Sequence, residues 1–180
     1  PTSVVPNWAP EAARFAPDLR VAVVTATAKK RRESLSELAA DADVIVTSYA
    51  LFRLEHAEYE ELQPSGLVLD EAQNIKNRTS RGFALAKTLP ADVKFVVTGT
   101  PMENNLAELW AMFAIAAPGL LGTPQQFHEV YAAPIERGNG AELGLFERLR
   151  RRVAPFLLRR TKEEVTPDLP PKQEQILSVT

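Results

Sequence analysis

Four short runs of β-branched and apolar residues constrain this chain more than anything else in it. They are Val21-Ala22-Val23-Val24-Thr25, Val44-Ile45-Val46-Thr47, Leu67-Val68-Leu69 and Phe95-Val96-Val97-Thr98. Each is near-continuous and too short for a helix, the pattern expected of strands buried on both faces of a parallel sheet. Between them lie stretches of helical character at Lys29 to Ala40, Tyr49 to Leu62 and Ser80 to Leu89. Strand alternating with helix predicts a doubly wound α/β domain, whose ligands sit beyond the carboxyl ends of the strands. The opening segment, Thr2 to Phe15, spaces Trp8, Ala12 and Phe15 along one helical face. It is expected to follow a strand outside this chain, so a sheet built from the present runs lacks a member.

Strand signals stop near Pro118. Leu109 to Ala117 reads as a buried helix, and Gln125 to Tyr131 and Ala141 to Val153 read as further helices around Gly138-Asn139-Gly140. Thr166-Pro167-Asp168-Leu169-Pro170-Pro171 is a stiff extended connector, and Gln175 to Thr180 alternates like the start of a new strand. The expected organisation is an α/β lobe over 1–117, a helical extension over 118–165 and a linker over 166–180.

Composition narrows the function. With no cysteine, a disulfide scaffold and a cysteine-based zinc site are excluded, and a reducing compartment is accommodated. The longest uncharged stretch, Leu109 to His128, contains Pro118, Gly119, Gly122 and Pro124, which would break a membrane helix. No signal peptide is visible, and the first residue is proline, so the chain reads as a piece of something longer. The formal net charge is -2, so contact with nucleic acid must come from local clusters. Two exist, Lys29-Lys30-Arg31-Arg32 and the acid-free stretch from Arg148 to Lys162; either also reads as a solvated helix face.

The chemistry concentrates at two strand ends. In Gly66-Leu67-Val68-Leu69-Asp70-Glu71-Ala72-Gln73, an apolar run delivers adjacent carboxylates. Phosphoryl transfer from ATP to water needs an acid to hold Mg²⁺ and a group to orient the attacking water; Asp70 suits the first role and Glu71 the second. The same dipeptide also suits the start of a helix. In Val96-Val97-Thr98-Gly99-Thr100-Pro101, a strand ends in two hydroxyls around a glycine, which reads as a partner site or as an ordinary strand-to-helix turn. One helix fits between Asp70 and Thr98, so the two ends can be neighbours.

In this order the motifs resemble the first ATPase lobe of the Swi/Snf-type family of helicase superfamily two. The matching segments are Pro1-Thr2-Ser3-Val4-Val5-Pro6-Asn7-Trp8 with Glu11, Val46-Thr47-Ser48-Tyr49, and Asp70-Glu71-Ala72-Gln73-Asn74-Ile75-Lys76-Asn77. They continue with Thr98-Gly99-Thr100-Pro101, Asn104-Asn105-Leu106 and Glu108-Leu109-Trp110. They end with Pro155-Phe156-Leu157-Leu158-Arg159-Arg160-Thr161-Lys162, Val165 and Leu169-Pro170-Pro171-Lys172. The match covers nearly the whole chain. It departs in having Gln73 where many members have histidine, a form that looks bacterial or archaeal. It contains no Gly-x-x-x-x-Gly-Lys-Thr phosphate loop and nothing resembling the second lobe with its arginine finger.

The resemblance implies a RecA-like α/β fold without the phosphate-loop strand, with ATP and Mg²⁺ as cofactors. It implies that Asp70 holds the metal, that Glu71 orients water, and that Gln73, Thr98, Gly99 and Thr100 couple nucleotide to nucleic acid. Ser3, Thr47, Ser48, Tyr49, Lys76, Asn77, Thr79 and Ser80 would contact the phosphates of one DNA strand, which positions the duplex without reading sequence. Arg159, Arg160 and Lys162 would brace a second lobe of the same parent chain. The implied partners are double-stranded DNA, ATP, that second lobe and a protein substrate of unstated identity, with no membrane. The implied location is the bacterial or archaeal cytoplasm at the nucleoid, or the nucleus of a eukaryote. A non-catalytic interaction module and a strand-separating helicase are the alternatives. Ser3 also reads as a helix cap, Trp8 and Tyr49 as core residues, and Trp110 and Phe113 as interior; His56 and His128 show no metal pattern.

Overall fold

The computed structural model describes residues 2–99, 106–138, 144–160 and 162–165. Thr100, Asn104, Asn105, Thr161 and the 166–180 linker lie outside the described residues, as does the side chain of Lys162.

Strands form at all four expected runs, β1 (Val21–Val24), β2 (Val44–Thr47), β3 (Gly66–Leu69) and β4 (Val93–Val96), the last lying two residues earlier than the expected Phe95–Thr98. They pair in parallel as β1 with β2 and β3 with β4, so where one sheet is expected the described residues form two two-stranded sheets. The β3–β4 pairing runs past the strand ends, because Val97 N–H donates to Leu69 O (2.8 Å) and Ala72 N–H to Val97 O (3.0 Å). This carries the chain after Asp70 alongside the chain before Thr98.

Burial on both faces is the first correction. Val68 is 62% exposed, Phe95 57% and Val93 and Val97 49% each, whereas Leu69 is buried and Leu67 and Val96 are partly covered. Alternate residues point to opposite faces, so helices cover one face of this pair and leave the other uncovered.

The helices are shorter than their periodicity suggests. The stretch Lys29 to Ala40 splits into α2 (Ala28–Arg31) and α3 (Leu35–Ala40). Arg32 takes a left-handed conformation (φ 60°), and Ser34 then opens α3 with a reciprocal capping box to Glu37. The stretch Tyr49 to Leu62 breaks at Glu55 into α4 (Tyr49–Leu54) and α5 (His56–Leu62). Before these, α1 (Trp8–Phe15) follows a 3-10 turn at Thr2–Asn7. The apolar face read on α1 is not interior: Trp8 is 45% and Phe15 73% exposed.

After β3 come a 3-10 turn at Ala72–Ile75 and α6 (Arg81–Thr88); α7 (Leu106–Ala116) follows β4. Residues 108–115 of α7 are all buried, as in a helix surrounded by its neighbours. Trp110 Nε1 donates to Gly122 O (3.1 Å), tying α7 to the loop that follows it. That loop turns at Gly122 (φ 70°), where a Cβ would lie 2.8 Å from Gln126 Oε1, so glycine is needed there.

The extension continues with α8 (Pro124–Phe127), a π-helical turn at His128–Ala132, α9 (Ala133–Glu136), α10 (Leu145–Val153) and α11 (Lys162–Val165). Leu145, Leu149 and Val153 form the buried stripe of α10. Phe127, Tyr131 and this stripe belong to the same buried cluster as Val24, Leu35, Leu69 and Phe83. The extension therefore shares a core with the α/β lobe. Among the described residues, no helix is long and apolar enough to cross a membrane.

Candidate ATP and nucleic-acid site

The carboxyl end of β3 places Asp70 and Glu71 at the surface, as the sequence leads one to expect. They are not helix caps of the ordinary kind. Glu71 has a left-handed backbone (φ 50°, ψ 48°) and makes no side-chain cap to the turn that follows it. For a non-glycine residue this conformation costs about 1–3 kcal/mol and persists where its surroundings fix it. Four hydrogen bonds converge there. Glu71 N–H donates to Asp70 Oδ1 (2.9 Å), and Asn74 Nδ2 donates to Glu71 O (2.8 Å). Gln73 Nε2 donates to Glu71 Oε2 (2.5 Å), and Tyr49 Oη donates to Asp70 O (2.7 Å).

Gln73 also connects the acids to the second motif, because Thr98 Oγ1 donates to Gln73 Oε1 (2.8 Å). A neutral amide both donates and accepts, which lets Gln73 join a carboxylate to a hydroxyl without changing charge. Side chains from the ends of β3 and β4 thus form one chain, Glu71–Gln73–Thr98. Gly99 follows, exposed and with open space around its α-carbon.

A single exposed carboxylate such as Asp70 fits Mg²⁺, which usually keeps several waters and takes its remaining ligands from substrate phosphates. Among the described residues there is no group of three or more His, Cys, Asp or Glu that could hold a metal by itself.

The residues expected to meet nucleic acid fall into two sets. Ser3, Asn77 and Thr79 are exposed, and Ser80 is partly so. Asn77 Oδ1 accepts from Thr79 N–H (3.0 Å) and Thr79 Oγ1 (2.7 Å), which fixes the turn, and Ser80 Oγ caps α6 by accepting from Phe83 N–H (3.2 Å). The other set turns inward. Ser48 is buried and caps α4 through Leu51 N–H (3.3 Å). The Thr47 hydroxyl is buried beside that of Tyr59. Lys76 places its ammonium 3.1 Å from Glu108 Oε1, pinning the acid-box tail to α7. Tyr49 is half-buried, and its phenol is raised well above the usual range by burial first and then by the charges of Asp70 and Glu71, so it remains a donor.

Arg159 and Arg160 are exposed in a segment without regular secondary structure after Phe156. The two basic clusters resolve differently. Arg31 is drawn into a buried ion pair with Glu55, while Lys29, Lys30 and Arg32 stay exposed. Arg148 and Arg150–152 line the solvent face of α10, with Arg148 over the Tyr131 ring and Arg152 donating to Leu120 O (2.7 Å). The solvated-face reading therefore suits α10. His56 is interior, within reach of Leu85 O (3.2 Å), and His128 is exposed.

Three features were not anticipated. Glu108 was visible only as part of Glu108-Leu109-Trp110, with nothing to show that it faces Lys76. The reach of Tyr49 to Asp70 depends on how the two strand pairs lie. Arg53 and Arg81, 28 positions apart in sequence, line one surface cavity of about 370 Å³ with Ala50 and Leu54. Both arginines are exposed, and Gly82 lets the Arg53 stem pack closely over α6.

Parallel strands ending in paired acids, hydrogen-bonded to a hydroxyl turn on the adjacent strand, fit a RecA-like α/β lobe. The chain belongs to the SNF2-related family: the profile described as SNF2-related domain matches residues 1–180. It is 39% identical, over 96% of its length, to TATA-binding protein-associated factor MOT1 of Saccharomyces cerevisiae, covering 10% of that protein. It is 40% identical, over 97% of its length, to the putative ATP-dependent helicase/translocase YwqA of Bacillus subtilis, covering 19%. The solved SWI2/SNF2 ATPase core of Sulfolobus solfataricus in complex with dsDNA superposes with a TM-score of 0.76 at 36% identity; the match covers 92% of this chain and 33% of that one. The chain thus spans under a fifth of these curated relatives and a third of the solved core.

Proposed function

We propose that this chain forms most of the first lobe of a motor that hydrolyses ATP to move along double-stranded DNA and remodel protein–DNA complexes. The observation that carries the reading is the hydrogen-bonded chain from Glu71 through Gln73 to Thr98. It would link the carboxylate that orients water to the hydroxyl turn after β4, and through that turn to the rest of the motor. Mg²⁺, when bound by Asp70, would neutralise charge on the ATP phosphates. Glu71 would accept a hydrogen bond from the attacking water, and Gln73 would hold its carboxylate in place. Loss of Glu71 would therefore act on turnover rather than on DNA affinity.

DNA phosphates would meet Ser3, Asn77, Thr79 and the adjacent Arg53 and Arg81. Contacts from a few local groups suffice for a chain of net charge -2, since phosphate contacts position the duplex rather than read it. Thr47, Ser48 and Lys76 would support that surface from behind. Arg159, Arg160 and Lys162 would brace the second lobe.

The chain by itself would not hydrolyse ATP. It contains no Gly-x-x-x-x-Gly-Lys-Thr loop, whose backbone N–H groups and lysine supply preorganised charge around the β- and γ-phosphates. The test is calorimetry of ATP with the chain, where weak or no binding is expected and micromolar affinity would contradict the reading.

A further inference from the structure

We propose that Tyr49 is a positioning residue that couples the DNA-facing edge of the lobe to its hydrolytic acids through the Asp70–Glu71 peptide. The proposal rests on the motor reading above and adds to it a route and a residue.

The route follows from the topology. Tyr49 opens α4 immediately after β2, which belongs to one strand pair, whereas Asp70 closes off β3 in the other. No strand ladder joins the two pairs among the described residues. The Tyr49 Oη–Asp70 O hydrogen bond (2.7 Å) spans that gap at the ends where the chemistry lies.

The acceptor gives the bond its consequence. Asp70 O belongs to the same peptide group as Glu71 N, whose N–H is held by Asp70 Oδ1 (2.9 Å). Tyr49 thus fixes one end of this peptide and the Asp70 carboxylate fixes the other. Glu71 sits just beyond it with φ at 50°, a conformation kept only while its neighbours enforce it. Release of the Asp70 carbonyl would let the peptide rotate and carry the Glu71 carboxylate away from its place beside Gln73.

The other end of the lever is stiff. Ser48 is buried and locked to Leu51 N–H, and the Thr47 hydroxyl is enclosed. A duplex held by the exposed Arg53 would therefore move α4 and Tyr49 together. With its hydroxyl committed to Asp70, Tyr49 acts on the acids from behind rather than as a phosphate ligand.

The experiment uses the full-length parent with Tyr49→Phe, which keeps the ring and removes only the hydroxyl. Steady-state ATP turnover is measured with and without duplex DNA, alongside DNA affinity by fluorescence anisotropy. The expected result is a fall of about three- to tenfold in DNA-stimulated kcat, the scale of one lost hydrogen bond, with KM for ATP and Kd for DNA within about twofold of wild type. Unchanged stimulated kcat would overturn the proposal. So would a loss carried by weaker DNA binding, which would make Tyr49 a DNA contact, or by a raised KM for ATP, which would make its role general support. If wild type itself ignores DNA, the motor reading fails; if wild type responds and Tyr49→Phe responds equally, only the coupling role fails.

Discussion

Glu55 is the polar side chain whose loss this fold should tolerate least. It is buried, with its side chain 7% exposed, and its Oε2 lies 2.8 Å from Arg31 Nη1, itself only 12% exposed. Its other oxygen accepts the N–H of Ala28 at the start of α2, and Arg31 Nη1 also donates to Ala26 O (2.8 Å). Arg31 Nη2 is 3.5 Å from Glu58, whose carboxylate accepts from Leu35 N–H (2.9 Å). One node therefore holds α2, α3 and α5 together. Two unit charges about 4 Å apart attract by about 4 kcal/mol at an effective dielectric constant of about 20. Removing one partner of a buried pair costs about 3–5 kcal/mol, because the other is left desolvated. Glu55→Ala should lower unfolding free energy by that amount. With a urea slope near 2 kcal/mol/M, the midpoint should fall by about 2 M. The double variant Arg31→Met with Glu55→Ala should lose less than Glu55→Ala alone, since no cation is stranded. A single variant costing under about 1 kcal/mol, or a double variant worse than the single, would refute the reasoning.

Three further outcomes are expected. Ile115→Ala, buried near the C-terminal end of α7, should cost about 2–5 kcal/mol in urea unfolding, with a small shift meaning that the site collapses around the gap. Arg53→Ala with Arg81→Ala in the parent should weaken duplex binding uniformly across sequences and reduce the salt slope by about 2, near the 0.9 expected per phosphate contact; an unchanged slope would remove both from the DNA path. Asp43, bonded to Arg20 through side chain and backbone, has its carboxyl lowered from 3.8 to about 2. Its folded value lies below its unfolded one, so its contribution is full above about pH 4 and is lost as pH falls through about 2. NMR titration should place its midpoint near 2, and Asp43→Asn should abolish that contribution.

The strands, their parallel pairing and the position of the acids were legible because short apolar runs and adjacent carboxylates are local signals. The exposed face of β3–β4 was not legible: Val68 and Phe95 look like core residues in any window, and only the arrangement of covering helices decides which face they see. The breaks at Arg32 and Glu55 were missed for a related reason. The apolar periodicity continues across them, while the chain turns to satisfy the Ser34 cap and the Arg31–Glu55 pair. At the site, Asp70, Glu71, Gln73 and Thr98 were found together as expected. Thr47, Ser48 and Lys76 read as DNA contacts in the sequence, but their side chains face inward, because a hydroxyl or ammonium in sequence does not reveal whether solvent or a partner such as Glu108 will satisfy it.

The most direct measurement is ATP turnover by the full-length parent, with and without double-stranded DNA, for wild type beside Glu71→Gln. Strong stimulation by DNA in wild type, abolished in Glu71→Gln with DNA binding retained, is the expected result. Turnover indifferent to DNA, or stimulated turnover that survives Glu71→Gln, would contradict a DNA-driven motor with Glu71 at its centre.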